Sequence, residues 1–216
     1  MNTQLIILTL FLLSGCKTTY TVKVSEADAI IFVDGKEMGV TPREIEVRKN
    51  DYKNITVKKT GYFEGKTALY YNGLKRKTEE IKLIKDDSYE ASIQSNYANN
   101  DFEQEIDSKF LEVEAWKVAS QIITNYIDNL EMADAATGYM RTTWVIQSFN
   151  KSTIRTRIIV RQSSSRPLKF KIKIQSEFAG LPNVSVKDDD KFKNWDRILK
   201  KYDVLITEFQ TRLGAK

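Results

Sequence analysis

Along residues 20–85 the hydrophobic positions come in short runs of β-branched and aromatic side chains. They are Tyr20-Thr21-Val22-Lys23-Val24, Ala29-Ile30-Ile31-Phe32-Val33, Ile45-Glu46-Val47, Ile55-Thr56-Val57 and Thr67-Ala68-Leu69-Tyr70-Tyr71. Side chains of this kind suit a pleated, half-buried surface. Turn formers separate the runs at Asp34-Gly35, Gly39 with Thr41-Pro42, Gly61 and Asn72-Gly73, so the segment predicts a small all-β sandwich. Residues 86–101 are polar and without periodicity, which predicts a linker. From residue 102 the period changes. Phe102, Ile106, Phe110, Val113, Trp116, Ala119, Ile123, Tyr126 and Leu130 recur every three or four residues, the stripe of a long amphipathic helix over residues 102–134, with Asp101 as N-cap and Gly138 past its end. Strand candidates follow at 141–149, 153–162 and 168–176. A second helical stripe runs over 191–213 through Phe192, Trp195, Ile198, Leu199, Tyr202, Leu205, Ile206, Phe209 and Leu213. The order α-β-β-β-α predicts an antiparallel sheet with both helices on one face. The expected fold class is therefore α+β, with a leader at 1–15, a β-sandwich at 16–85, a linker at 86–101 and an α+β domain at 102–216.

The leader has its own pattern. Residues 1–15 carry no charged side chain, and Leu5 to Leu13 is almost pure hydrocarbon, too short to span a bilayer, which takes about 20 residues. An apolar run of this length followed by small residues reads as a signal-peptide core. The next residues, Leu13-Ser14-Gly15-Cys16, resemble the bacterial lipobox, in which small residues admit the signal peptidase and the cysteine thiol takes a diacylglycerol. Cys16 is the sole cysteine of the 216 residues, so no internal disulfide can form, and the expected anchor is lipid on that sulfur. Lys17-Thr18-Thr19-Tyr20 contains neither the aspartate of an inner-membrane retention signal nor the acidic cluster that resembles a surface-export signal. The expected address is the cell envelope, on the periplasmic face of an outer membrane.

Within the β segment, Ala29-Ile30-Ile31-Phe32-Val33-Asp34-Gly35-Lys36, Gly39-Val40-Thr41-Pro42 and Ile55-Thr56-Val57-Lys58-Lys59-Thr60-Gly61-Tyr62 resemble a PEGA domain in their order of turns. The resemblance covers about residues 20–85 and implies an extracytoplasmic accessory module without catalysis. It departs at Asn50-Asp51, where the family often has glycine, although Asn and Asp also tolerate left-handed backbone. The element order of the second domain, with the lipid anchor, is similar to the helix-grip domains of the lipoprotein subunit of the outer-membrane β-barrel assembly machinery. That likeness implies a non-catalytic scaffold.

Charge changes the picture further. The net charge is +5, but residues 86–134 hold 12 acidic and 2 basic side chains, while residues 135–175 hold 9 basic and no acidic ones. Strand alternation places Ile154, Thr156, Ile158 and Val160 with Phe170, Ile172 and Ile174 under the helices, and Arg155, Arg157, Arg161, Lys169, Lys171 and Lys173 on the other face. A face so built cannot neutralise itself from its own strands. It serves either as a surface that is solvated, or partly met by the acidic outer face of the first helix near the strand ends, and that blocks edge pairing, or as an anion-binding face for lipid phosphate, lipopolysaccharide, cell-wall glycan or an acidic envelope protein. The compartment argues against nucleic acid.

The chain has no histidine, which removes Ser-His and Cys-His nucleophiles and imidazole-bound metals. Asp188-Asp189-Asp190 has hard-cation donors but sits where it would cap the last helix. Trp116, Trp144 and Trp195 read as core anchors rather than sugar platforms. The expected function is a non-catalytic envelope scaffold with no cofactor, with ligand binding through the PEGA-like unit or the basic face as the alternative.

Overall fold

The computed structural model describes residues 16–215. The leader with Leu13, Ser14 and Gly15 lies outside them. The fold is mixed α+β and predominantly β, and it divides into two compact units after Lys85.

The first unit contains β1 (Lys17–Val24), β2 (Ile30–Val33), β3 (Lys36–Val40), β4 (Arg43–Arg48), β5 (Tyr52–Lys58), β6 (Gly65–Tyr70) and β7 (Arg76–Ile81). They form a three-stranded sheet, β4-β1-β7, and a four-stranded sheet, β3-β2-β5-β6. Alternate residues of both sheets, among them Val22, Ile31, Val47, Ile55, Val57 and Leu69, close one buried core. Asp34 and Gly35 have φ of 49° and 83°, the paired left-handed conformation of a two-residue hairpin, here joining β2 to β3. The Asp34 carboxylate accepts the Asn54 N–H at 2.9 Å and the Lys53 ammonium at 3.0 Å. The Asn54 bond, then Lys53, holds it below the ordinary carboxylate range. Asn50, with φ 64°, supplies the left-handed residue that glycine would have supplied. Strands β3 and β7 were not expected. Both are charge-rich edge strands, Lys36-Glu37-Met38 and Arg76-Lys77-Thr78-Glu79-Glu80, whose outward charges mask the strand pattern.

Direction matters more for function. β1 pairs antiparallel to β4 and parallel to β7. Cys16 therefore enters at one end of the sandwich, and the chain leaves through Ile81–Lys85 at the other.

The second unit contains α1 (Asp87–Glu90), β8 (Ser92–Gln94), β9 (Asp101–Glu105), α2 (Glu112–Tyr126), β10 (Leu130–Asp134), β11 (Tyr139–Thr142), β12 (Val145–Ser148), β13 (Thr153–Ser165), β14 (Leu168–Ala179), β15 (Lys193–Asn194), β16 (Arg197–Leu199) and α3 (Leu205–Leu213). The antiparallel hairpin of β13 and β14 is its spine. β11 and β12 flank β13, β9 and β15 flank β14, and β10 extends the sheet beyond β11. Ala115, Ala119, Ile122 and Ile123 of α2 and Leu205, Ile206, Phe209 and Leu213 of α3 are buried in one core with Ile154, Ile158, Val160, Phe170, Ile172 and Ile174 of the hairpin. The expected inward face of the two strands is thus the observed one.

Three expectations are corrected. Residues 86–101 are not a linker, because their polar groups bond into the fold. Asp86 caps α1 by accepting from the Ser88 and Tyr89 N–H groups at 3.0 and 3.2 Å. The Asn99 side chain donates to the Ser176 and Trp195 carbonyls at 2.8 and 2.7 Å and accepts the Ser176 N–H at 3.0 Å. The helix expected over 102–134 is the shorter α2, with β9 before it and β10 after it. The second expected helix contracts to α3, because Lys193-Asn194 adds to β14 and Arg197–Leu199 pairs with β8. The α-β-β-β-α order is accordingly replaced by a sheet with more strands than the three expected.

Candidate functional site

The expectation that the basic sheet face meets no carboxylate of its own is overturned by β9. Its register sets Glu105 opposite Lys169, Glu103 opposite Lys171 and Asp101 opposite Lys173. Lys169 lies 3.5 Å from Glu105 and 3.8 Å from Glu103, Lys171 3.5 Å from Glu103, and Lys173 3.4 Å from Asp101, which also pairs with Arg161. The Ser163 hydroxyl, then Lys171 and Lys169, holds the Glu103 carboxyl below its ordinary value. Glu103 and Glu105 fall within the helix expected over 102–134, and Asp101 is its expected N-cap. As a strand they become a charged comb of the same period as the lysines.

Arg155 and Arg157 belong to a different environment. The Arg155 Nε and Nη2 donate to the same Glu177 oxygen at 2.7 and 2.6 Å, and its Nη1 donates to the Val186 carbonyl at 2.7 Å and to Asp189 at 2.6 Å. Its guanidinium lies between the Trp144 ring, 4.4 Å from the centroid, and the Phe192 ring at 4.2 Å. Arg157 stacks on the same Trp144 at 4.2 Å and donates to Gln175 at 2.8 Å. Trp144 is thus held between two cations, a geometry that stabilises both guanidinium groups while they lose water. Asp189 serves Arg155, and Asp188 accepts from Lys191 at 2.8 Å. The acidic triplet does not cap the last helix, since α3 begins at Leu205. Among the described residues no group of three or more His, Cys, Asp or Glu side chains is placed to hold a metal ion. Trp116 meets Phe170 edge-on at 5.6 Å, and Trp195 lies against Phe178 at 5.7 Å, both packed on the core.

Cys16 is free and exposed, and it directly precedes β1. Its carbonyl accepts the Lys49 N–H at 2.9 Å, so the backbone is already in register at the cysteine. Tyr71 is beside it. Burial, then the Cys16 thiol, raises the Tyr71 phenol above its ordinary value. Lipid on this sulfur would meet the folded sandwich with no slack between them.

Among the described residues no helix is long and apolar enough to cross a membrane. No family model and no curated protein matches the chain. Among solved structures it is similar to a protein from Bacteroides fragilis provisionally described as membrane-associated and of unknown function. The two share 8% identity over 78% of this chain and 98% of that one, with a TM-score of 0.29. A score of that size does not establish a common fold, and no residue role passes between the two proteins.

Proposed function

We propose that this chain is a non-catalytic envelope lipoprotein, acylated on Cys16 and held on the periplasmic face of an outer membrane as a structural or accessory scaffold. The placement of the sole cysteine carries the reading. It is exposed and unpaired, it follows Leu13-Ser14-Gly15, and it sits one residue before the first strand of a folded unit. The PEGA-like order of turns supports a spacer or docking role for that unit. The β13–β14 face gives no comparable support for anion capture, because β9 and the Arg155 network occupy its cations.

Growth of the producing bacterium with labelled fatty acid tests the proposal. The wild-type chain is expected to carry label and to sediment with the envelope, and the Cys16→Ser variant to lose the label and leave the membrane fraction. A wild-type chain recovered unlabelled with residues 1–15 intact would overturn it.

A further inference from the structure

Four cations without an ion-pair partner gather elsewhere in the fold. Arg48 ends β4 and Lys49 follows it into the turn, while Lys75 precedes β7 and Arg76 opens it. All four are exposed, and none forms an ion pair among the described residues. Sequence separates the two pairs, but β1 brings them together. Lys17 is opposite Arg48, Thr19 is opposite Arg76, and the Thr19 N–H donates to the Lys75 carbonyl at 3.0 Å. All four therefore surround the start of β1, beside Cys16. The carboxylates at this end are already engaged, Glu46 by Lys17, and Asp34 and Asp51 by Lys53.

Apolar and aromatic surface is exposed at the same end. Leu74 is 57% exposed at the tip of the turn from β6 to β7. Its N–H donates to the Asn72 side chain at 3.0 Å, and Gly73, at φ 80°, allows the reversal. Tyr52 and Tyr70, 52% and 61% exposed, stack across β5 and β6 with centroids 5.8 Å apart. Tyrosine suits a boundary that is apolar on one side and wet on the other. Cations beside it complement anionic headgroups. The opposite end also exposes cations without an ion pair among the described residues, Lys23, Arg43 and Lys82, while Lys58 and Lys59 are engaged there by Glu64 and by Glu26 and Asp28, so what singles out the first end is that its cations and tyrosines surround Cys16.

We infer that the Cys16 end of the β-sandwich docks directly on an anionic phospholipid surface, with Leu74 inserted among the acyl chains, Tyr52 and Tyr70 at headgroup level, and Arg48, Lys49, Lys75 and Arg76 on the phosphates. This deepens the acylation reading by assigning the face that the anchor presses to the bilayer. Its protein-side determinants are independent of the lipid on sulfur.

That independence sets the test. A chain starting at residue 16, with Cys16→Ser and Leu74→Cys, carries a single polarity-sensitive fluorophore at position 74. A companion chain carries it at Val40→Cys, an exposed site at the far end of the sandwich. Each is titrated with vesicles of phosphatidylglycerol in phosphatidylcholine and with phosphatidylcholine alone. The position 74 probe is expected to brighten and shift to the blue on the anionic vesicles, to respond weakly to the neutral ones, and to lose the response in high salt. The probe at 40 is expected to stay in water. Replacing Arg48, Lys49, Lys75 and Arg76 together by glutamate should weaken partitioning by about tenfold or more. A silent probe at 74, or an equal response at 40, overturns the docking face while leaving fatty-acid labelling of Cys16 to stand or fall separately.

Discussion

Arg155 has a side chain only 5% exposed, and its hydration is replaced by Glu177, Asp189, the Val186 carbonyl and two aromatic rings. A cation taken out of water this fully is tolerated only while every lost hydration contact has a substitute. The partners are unequal. The Glu177 side chain is 11% exposed, whereas that of Asp189 is 81% exposed and can return to solvent. Replacing Arg155 by methionine therefore leaves one problem, a nearly buried carboxylate whose remaining donor is Gln175 at 2.9 Å. Arg155→Met is expected to cost about 3 kcal/mol in urea unfolding, and adding Glu177→Met is expected to recover part of that loss. If the double variant is no more stable than the single one, the orphaned carboxylate is not the cause. The sequence placed Arg155 on the sheet face without its partners. Glu177 and Asp189 are 22 and 34 residues away, and the bend of residues 180–192 that returns Asp189 to the sheet leaves no periodic trace.

At the scale of elements, β9 changes the reading of the face. Phe102, Ile106 and Phe110 are four apart, a spacing that serves a helical stripe and, being even, one face of a strand equally well. The deciding signal was in the charges. Asp101, Glu103 and Glu105 alternate with the period of Lys169, Lys171 and Lys173, and two combs of opposite sign and equal pitch pair best as neighbouring strands. Five of the seven sandwich strands are legible because alternation and turn chemistry agree there, β3 and β7 are masked by their charges, and β9 is hidden because tertiary pairing chose between two valid periods. Cys16 stands out in the sequence by its local motif. Its cationic surroundings do not, because only the pairing of β1 with both β4 and β7 unites Arg48 with Arg76. The triple variant Asp101→Asn, Glu103→Gln, Glu105→Gln is expected to lose about 1–2 kcal/mol, as partly exposed ion pairs contribute little each. It is also expected to bind a heparin column more tightly than wild type. Unchanged retention would show that β9 does not neutralise the face.

For the molecule as a whole, the parallel pairing of β1 with β7 fixes how far Cys16 lies from the point where the chain leaves the sandwich. β1 is eight residues long, and at about 3.3 Å per residue it spans roughly 26 Å. Cys16 is at its start, and Ile84, 54% exposed, lies just beyond the far end of β7. A sandwich standing on its Cys16 end thus raises the exit of the chain by its full length, whereas one lying on a sheet face would raise it by little more than the separation of two sheets, about 10 Å. The two postures bring different surfaces to the lipid. Standing places Leu74, Tyr52, Tyr70 and the unpaired cations at the bilayer, and lying would bury charged strand faces against it. Energy transfer from a donor at Ile84→Cys, in protein acylated on Cys16, to acceptors in the headgroup layer should report a height near 25 Å, the rise of the strand. A height near 10 Å would mean that the sandwich lies flat, and it would remove both its role as a spacer and the assignment of the Cys16 end as the face against lipid. The absence of a tether between Cys16 and β1 is what makes this measurement decisive, because an anchor with slack would allow both postures at once.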